Sequence, residues 1–398
     1  MDNKILKISE DVSWIGVLDP ALRVFDIIMT TEHGTTYNSY FINAEKKTVV
    51  ETVKEPFFDT YEAKLRQVCN PEDIEYIIVS HTEPDHAGAL RRMLSIAPRA
   101  TVLGSSVALQ NLKYQIGFTF PCRVIKEGEM IDLGNKHLKV INAPNLHWPD
   151  TIYTYLQEDQ LLFTCDSFGA HFCHEAMFDD LTGNYDEAFQ YYFDVILKPF
   201  STFFLKAIDK ISSLNIRAIC PGHGPVLRAH WQDIVSKTKT LCEQYLSGHP
   251  VKNRVLVAFV SAYGYTRAIA EKIREGLEDI EGIEVDFCDL EKTPATEYEE
   301  KVARASAFIL GSPTINQNML PQLYQLLATL SPLRDKGKPA GCFGSYGWSG
   351  EAEQILATNI QNQKLNYCGE SMFIRFRPQE IDYERIKAYG KKIGLMLQ

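Results

Sequence analysis

Val79-Ser80-His81-Thr82-Glu83-Pro84-Asp85-His86-Ala87-Gly88 carries four side chains able to ligate a metal, His81, Glu83, Asp85 and His86, within six residues. The apolar run Tyr76-Ile77-Ile78-Val79 precedes them, and its length and β-branched content predict a buried strand. Ala87-Gly88-Ala89-Leu90-Arg91-Arg92-Met93-Leu94 follows and reads as a helix with Leu90 and Leu94 on one face. The four side chains are therefore expected on a strand-to-helix loop, backed by a helix N-terminus that favours carboxylates. Pro84 fixes its own φ and restricts Glu83, which helps hold the spacing. Imidazoles with a single carboxylate suit zinc, whereas several carboxylates beside imidazoles suit iron or manganese.

Working outward, the upstream chain predicts short strands at Trp14-Ile15-Gly16-Val17, Tyr40-Phe41-Ile42 and Thr48-Val49-Val50, with turns at Gly34 and Asn43. Asp59 is placed to cap a helix carrying Leu65 and Val68. Downstream, strands are expected at Ala100–Leu103, Arg123–Ile125, Leu138–Ile141, Leu161–Thr164 and Arg217–Cys220. Further candidate ligands fall just past such strands. His147 lies in the irregular loop Leu146-His147-Trp148-Pro149-Asp150, Asp166 follows Cys165, and His223 lies in Pro221-Gly222-His223-Gly224-Pro225. The flanking glycines let the backbone bend tightly around His223. Loops at one edge of a sheet can converge, so His81, His147, Asp166 and His223 are expected to meet in one place.

Composition narrows the class. A chain of 398 residues is too long for one ordinary domain, and 45% apolar content supports ample cores. A net charge of −10 argues against a general nucleic-acid partner and fits an enzyme with an acidic surface. The start, Met1-Asp2-Asn3-Lys4-Ile5-Leu6-Lys7, has no signal-peptide core, and no apolar run reaches membrane-spanning length. The nine cysteines include no Cys-x-x-Cys pair, which excludes a disulfide framework and a rubredoxin-like or zinc-ribbon module. The expected location is a reducing cytoplasm, with no membrane association.

The period changes at Ser247-Gly248-His249-Pro250, after an amphipathic helix ending near Leu246. This puts two domains at residues 1–250 and 251–398. In the second, strands and helices alternate, as in a doubly wound parallel sheet whose ligand sits beyond the strand ends. Arg254–Val260 runs into Ser261-Ala262-Tyr263-Gly264-Tyr265-Thr266 and a helix whose stripe is Ile269, Ile273 and Leu277. A hydroxyl-rich turn entering a helix N-terminus holds phosphate, and the missing Gly-Lys-Ser/Thr ending disfavours nucleotide hydrolysis. Ala307–Leu310 runs into Ser312-Pro313-Thr314-Ile315-Asn316, and Gly341–Phe343 into Gly344-Ser345-Tyr346-Gly347-Trp348-Ser349-Gly350. Tyr346 and Trp348 offer flat surfaces for a planar ring. The three loops together predict a flavin mononucleotide (FMN) site at Ser261, Tyr263–Thr266, Ser312–Asn316, Ser345–Trp348 and Gly350.

With both halves read, the chain resembles the flavodiiron proteins (A-type flavoproteins) over essentially its full length. The resemblance implies an α/β chain: a metallo-β-lactamase-like αββα sandwich followed by a flavodoxin-like doubly wound sheet. The family's His-x-Glu-x-Asp-His motif is matched by His81, Glu83, Asp85 and His86. By resemblance His81, Glu83 and His147 hold one iron, Asp85 and His223 the other, and Asp166 bridges, with the role of His86 open. His171 matches a histidine lining the substrate pocket and takes the catalytic role. Hydrolytic relatives carry His where this chain has Glu83. Some members place a His early in the chain, in Phe-His-Gly; here that stretch is Phe25-Asp26-Ile27. The flavin loop also lacks the Thr-Gly-x-Thr of free flavodoxins. His174 and Tyr191-Tyr192-Phe193 are further candidates for the pocket lining.

The implied activity is reduction of dioxygen to water, of nitric oxide to nitrous oxide, or both, by a non-haem diiron site fed by FMN. A head-to-tail homodimer, or a dimer of dimers, is also implied. The chain ends at Gln398 with no appended rubredoxin or flavin-reductase module, so a separate donor such as rubredoxin, or a deazaflavin cofactor, is expected. Two alternatives compete: a zinc hydrolase with a flavodoxin-like docking module, and a non-catalytic electron carrier.

Overall fold

Along Tyr40-Phe41-Ile42 the side chains alternate between two cores. Tyr40 and Ile42 enter one cluster and Phe41 another. The same alternation divides Ile78 from Ile77 and Val79, Leu103 from Val102, and Val140 from Ile141. Period-two alternation with both faces buried makes each sheet the inner leaf of a four-layer stack. A seven-stranded sheet holds Leu6–Lys7, Val12–Trp14, Tyr40–Ile42, Lys47–Val50, Ile74–Val79, Thr101–Gly104 and Cys122–Val124. A five-stranded sheet holds Met130–Asp132, His137–Asn142, Ile152–Leu156, Leu161–Cys165 and Ala218–Pro221. Tyr40, Ile78, Leu138 and Phe163 share the core between them. Helices Phe58–Val68, Leu90–Ile96 and Ser106–Ile116 cover the first sheet, and Ser201–Ile211 and Trp231–Gly248 the second. The result is the expected αββα sandwich.

Sheet direction puts the candidate ligands at one edge. His137–Asn142 is antiparallel to Ile152–Leu156, which is antiparallel to Leu161–Cys165, which is parallel to Ala218–Pro221. Three strands therefore run the same way, and His147, Asp166 and His223 follow their shared C-terminal ends.

The computed structural model describes residues 4–27, 29–248 and 251–398. They fall into two compact units, Met1–Gln244 and Tyr245–Gln398. The expected boundary turn at His249-Pro250 lies outside the described residues. In the second unit every strand pairing is parallel. The order is Glu284–Asp289, Arg254–Phe259, Ala307–Gly311, Pro339–Tyr346, Asn366–Arg375. The order reverses between the second and third of these strands, which opens a crevice at their C-terminal ends. Ile269, Ile273 and Leu277 of helix Tyr265–Glu278 are buried against the sheet, as expected.

Four local expectations differ from the structure. Asp85 and His86 are not in a loop but in a one-turn helix, Pro84–Ala87, because Pro84 already has the φ that a first helical turn needs. The helix after it is Leu90–Ile96. Asp59 does not cap its helix: a 3-10 turn at Glu55–Phe57 feeds straight into Phe58–Val68, and Asp59 accepts from Arg92 instead. The strand at Trp14–Val17 is broken, since Val12–Trp14 pairs with Tyr40–Ile42 while Val17–Asp19 pairs with Thr35–Tyr37. Gly344, Ser345 and Tyr346 belong to the strand Pro339–Tyr346 rather than to the loop.

Candidate metal centre and flavin site

His81 follows the end of Ile74–Val79, and Glu83 sits at the N-cap of Pro84–Ala87. His81 Nε2 is 3.1 Å and His147 Nε2 2.9 Å from Glu83 Oε2. The same two nitrogens lie 3.6 and 3.7 Å from Asp166 Oδ2. Ligand atoms of His81, Glu83, His147 and Asp166 all fall within 4.8 Å of one another. Asp85, His86 and His223 form a second such group. His223 Nε2 is 2.9 Å from Asp85 Oδ2 and 3.5 Å from Asp166 Oδ1, and His86 Nε2 is 3.0 Å from Asp166 Oδ1. Asp166 therefore faces both groups, one oxygen to each.

Residues outside the motif hold these side chains. His81 Nδ1 lies 3.1 Å from Asp150 Oδ1, while Asp150 Oδ2 accepts from Thr82 N and Thr82 Oγ1 at 2.7 and 2.6 Å. His223 Nδ1 donates to Thr36 O at 2.6 Å. The turn around His223 is clamped by Asn38, whose Nδ2 donates to both Pro221 O and Gly224 O. A Cβ at Gly222 would fall 2.6 Å from His86 Cε1, so only glycine lets His86 lie against that turn. Behind His86, Nδ1 faces Cys165 Sγ at 3.6 Å and Glu51 Oε2 at 3.9 Å. Tyr192 Oη donates to Asp166 Oδ1 at 3.1 Å.

Electrostatics point to a cation. Burial alone would lower the His81 pKa, but the carboxylates of Asp150 and Glu83 push it up to about 10. Burial alone would raise Glu83, Asp85 and Asp166, yet the surrounding histidines hold all three below the usual range. Without a metal, protons must balance these anions. Both oxygens of Asp85 and Oδ2 of Asp166 are buried without a hydrogen-bond partner among the described residues, which is costly unless a cation meets them. Three carboxylates with four imidazoles are a hard, nitrogen-and-oxygen donor set suited to iron or manganese.

The pocket over this centre holds about 20 Å³, lined by Phe25, Asp26, Met29, Tyr192, Ile196 and His171 among others. His171 Nδ1 is 2.9 Å from Thr35 Oγ1, and burial, then the His223 charge, lowers its pKa to about 3. Burial and the Glu83 charge raise Asp26 to about 6. Thr35, Met29 and Ile196 were not singled out from sequence. They come from short hairpins and a π-helical turn, Phe193–Leu197, that leave no periodic signal. Of the other candidates, Tyr192 lines the pocket, Phe193 is in the hydrophobic core, and His174 is exposed.

In the second unit, Gly264 takes φ +80° at the N-cap of Tyr265–Glu278. Ser261 Oγ accepts from Arg267 N, while Tyr265 and Thr266 open the helix, where first-turn N–H groups lack intrahelical acceptors. Tyr263 and Trp348 are 82% and 80% exposed, unusual for rings of that size unless something covers them. A cavity of about 270 Å³ is lined by Thr314, Ile315, Asn316, Gly347 and Trp348, and also by Gln317 and Ser349, which the motif reading passed over. Thr314 Oγ1 is buried there without a hydrogen-bond partner among the described residues. Ser312 and Ser345 do not face that cavity. Ser312 Oγ donates to Pro313 O and accepts from Leu320 N, and Ser345 Oγ pairs with Thr266 Oγ1 at 2.9 Å. Helix N-terminus, exposed rings and unpaired hydroxyl fit a phosphate-bearing planar ligand.

Two family models match the chain: the ODP family beta lactamase over residues 35–224 and the flavodoxin family over 257–388. A flavo-diiron protein of Clostridium acetobutylicum is 35% identical over 396 residues, covering 97% of this chain and 98% of that one. The chain belongs to the flavodiiron family. Another family relative, a nitric oxide reductase of Moorella thermoacetica, is 34% identical over 395 residues, covering 97% of each chain. The solved rubredoxin oxygen:oxidoreductase of Desulfovibrio gigas is 27% identical, with a TM-score of 0.68 covering 99% of this chain and 98% of that one. This flavodiiron chain is thus an oxidoreductase whose cofactors are FMN and a non-haem iron pair. The zinc-hydrolase alternative finds no support.

Proposed function

We propose that residues 1–250 hold two irons and residues 251–398 hold FMN, and that the chain reduces dioxygen to water, nitric oxide to nitrous oxide, or both. His81, Glu83 and His147 would hold one iron and Asp85, His86 and His223 the other, with Asp166 offering one oxygen to each group. The inward position of His86, with Nε2 toward Asp166 and Asp85, supports including it. The observation that carries the reading is Asp166, buried between two groups of nitrogen and oxygen donors with one oxygen toward each. FMN is held by the Ser261–Thr266, Ser312–Asn316 and Gly347–Gly350 loops. Bound there, the irons and the flavin supply the one- and two-electron redox chemistry.

The chain's own residues supply the rest. Glu83, Asp85 and Asp166 place negative charge against the metals and favour the oxidised pair. Tyr192 Oη and Asp150 fix the orientation of Asp166 and His81. Phe25, Met29 and Ile196 keep bulk water out of a pocket sized for a diatomic molecule. In the metal-free protein burial and the Glu83 charge raise the Asp26 pKa to about 6, so the pocket wall carries a carboxyl that holds a proton more readily than an ordinary one.

The electron donor is a separate carrier such as rubredoxin, supported by the name of the Desulfovibrio relative. A head-to-tail homodimer in the cytoplasm completes the reading; no helix among the described residues is long and apolar enough to cross a membrane. The test is a metal and flavin assay, then anaerobic reduction and exposure to each gas. Zinc in place of iron, with neither gas consumed after reconstitution, would overturn the proposal.

A further inference from the structure

A second cavity, of about 330 Å³, lies beside the metal pocket, and among the described residues His171 lines both. Chain neighbours divide across that wall. Met29 and Tyr192 line the metal pocket, whereas Thr30 and Tyr191 line the cavity. Thr30 N donates to Tyr191 Oη at 3.2 Å within the cavity's lining. Two other lining residues, Thr31 and His171, are buried, at 1% and 4% exposure. Each carries a buried atom without a hydrogen-bond partner among the described residues, Thr31 Oγ1 and His171 Nε2. The other His171 nitrogen is already taken by Thr35 Oγ1. The remaining lining includes the exposed carboxylates of Glu32, Glu187 and Asp194, which open the cavity to solvent. Buried polar groups left by protein partners are met by water wherever a polar site is roomy enough, and this one is.

We propose that this cavity is the solvent conduit of the metal pocket, with ordered water held at its floor by Thr31 Oγ1 and His171 Nε2. The inference rests on the function proposed above, whose two reactions both consume protons and release water. A pocket of about 20 Å³ with apolar walls at Phe25, Met29 and Ile196 cannot store that water. The pocket's polar wall residues besides the candidate ligands are Asp26, Tyr192 and His171, and among the described residues His171 is the one it shares with the cavity. Small neutral molecules reach the metals by the same path.

The experiment uses the iron- and FMN-loaded protein. A crystal structure is expected to show water within hydrogen-bond distance of both Thr31 Oγ1 and His171 Nε2. Ala188→Phe, on a lining residue that touches no ligand, is expected to slow nitric oxide binding to the reduced irons at least tenfold by stopped-flow absorbance, with iron and FMN content unchanged. Thr31→Val, nearly isosteric, is expected to lose the floor water and at least threefold in turnover. A dry floor in the wild type overturns the proposal. So does an Ala188→Phe protein whose ring fills the cavity in its own crystal structure yet binds nitric oxide at the wild-type rate, or a Thr31→Val protein that loses the water and keeps full turnover. Zinc in place of iron sinks the proposed function instead, and the floor water alone then decides the conduit.

Discussion

His81 has one ring nitrogen 3.1 Å from Asp150 and the other 3.1 Å from Glu83. Asp150 is fully buried and already fixed by two hydrogen bonds from Thr82, so it presents a set acceptor to the imidazole. A carboxylate in that position selects the tautomer that offers Nε2 to a metal and raises its basicity. Asp150→Asn is therefore expected to weaken metal binding about 10–100-fold, by titration against a competing chelator, while the protein stays folded. An unchanged affinity would show that the Asp150–His81 contact is packing alone. Protonation gives a second prediction at this scale. In the metal-free protein the His81 pKa is about 10 against an ordinary 6.5, so this pairing stabilises the fold fully below 6.5 and is lost as pH rises through 10. Glu83, Asp85 and Asp166 are depressed, so their contribution is present above their ordinary values of 4.5 and 3.8 and is lost as pH falls through the lowered ones. Metal-free Tm should therefore fall as pH rises from 6.5 to 10, and iron, which replaces the protons, should flatten that fall in calorimetry. A metal-free Tm that holds or rises over that range would mean that protons do not balance the buried carboxylates. The motif side chains were legible because local chain geometry alone gathers them. Asp150 lay in plain view after Trp148-Pro149, but its role depends on a partner 69 residues away, and no local pattern encodes that.

At the level of elements, the break between Val12–Trp14 and Val17–Asp19 serves the site. It removes Asn38 from the ladder, and Asn38 N then donates to Gly222 O at 2.9 Å while its side chain binds Pro221 O and Gly224 O. Trp14 Nε1 donates to Asn38 Oδ1 at 2.9 Å and so orients the amide. Asn38→Ala strands an indole N–H and two carbonyls in the interior, at about 1–3 kcal/mol for each buried group left unpaired. The expected outcome is a loss of at least about 2 kcal/mol in denaturant unfolding of the metal-free protein. Gly222→Ala tests the same turn sterically. Its Cβ meets His86 Cε1 at 2.6 Å, so His86 must move, and iron content should fall while far-UV circular dichroism stays unchanged. Full iron content in that variant would remove His86 from the ligand set. Strand positions were readable from apolar runs, since burial on both faces leaves few polar interruptions. The break at Gly16 was not, because Trp14-Ile15-Gly16-Val17 satisfies the same apolar rule throughout. The candidate loop after Gly341–Phe343 begins later than its residues suggest for a related reason. Gly344 and Ser345 look like turn residues, but both are buried in a strand, where a Cβ at Gly344 would meet Ser312 O at 2.1 Å.

At the scale of the whole chain, each half carries its own core and its own set of candidate ligand-binding residues. Clusters built on Phe41, Phe204 and Tyr40 belong to the first unit, and those built on Leu256 and Val255 to the second. The units divide at Gln244 and Tyr245, inside helix Trp231–Gly248, whose Ile234 and Cys242 pack into the first unit's core. A cut between residues 244 and 245 would strip the last turn of that helix from its fragment, whereas the proposed boundary after residue 250 leaves it whole. Fragment 1–250 is therefore expected to fold and bind two irons without flavin, and fragment 251–398 to bind FMN without iron, by metal analysis and flavin absorbance. Mixed in equal amounts, they should turn over gas far more slowly than the intact chain, because separate fragments meet only by diffusion whereas the link keeps both halves in one assembly. Mixing that restores full turnover at micromolar concentration would mean that the covalent link adds nothing to electron supply. A 1–250 fragment that folds but holds no iron would mean that the second unit contributes to the metal centre itself.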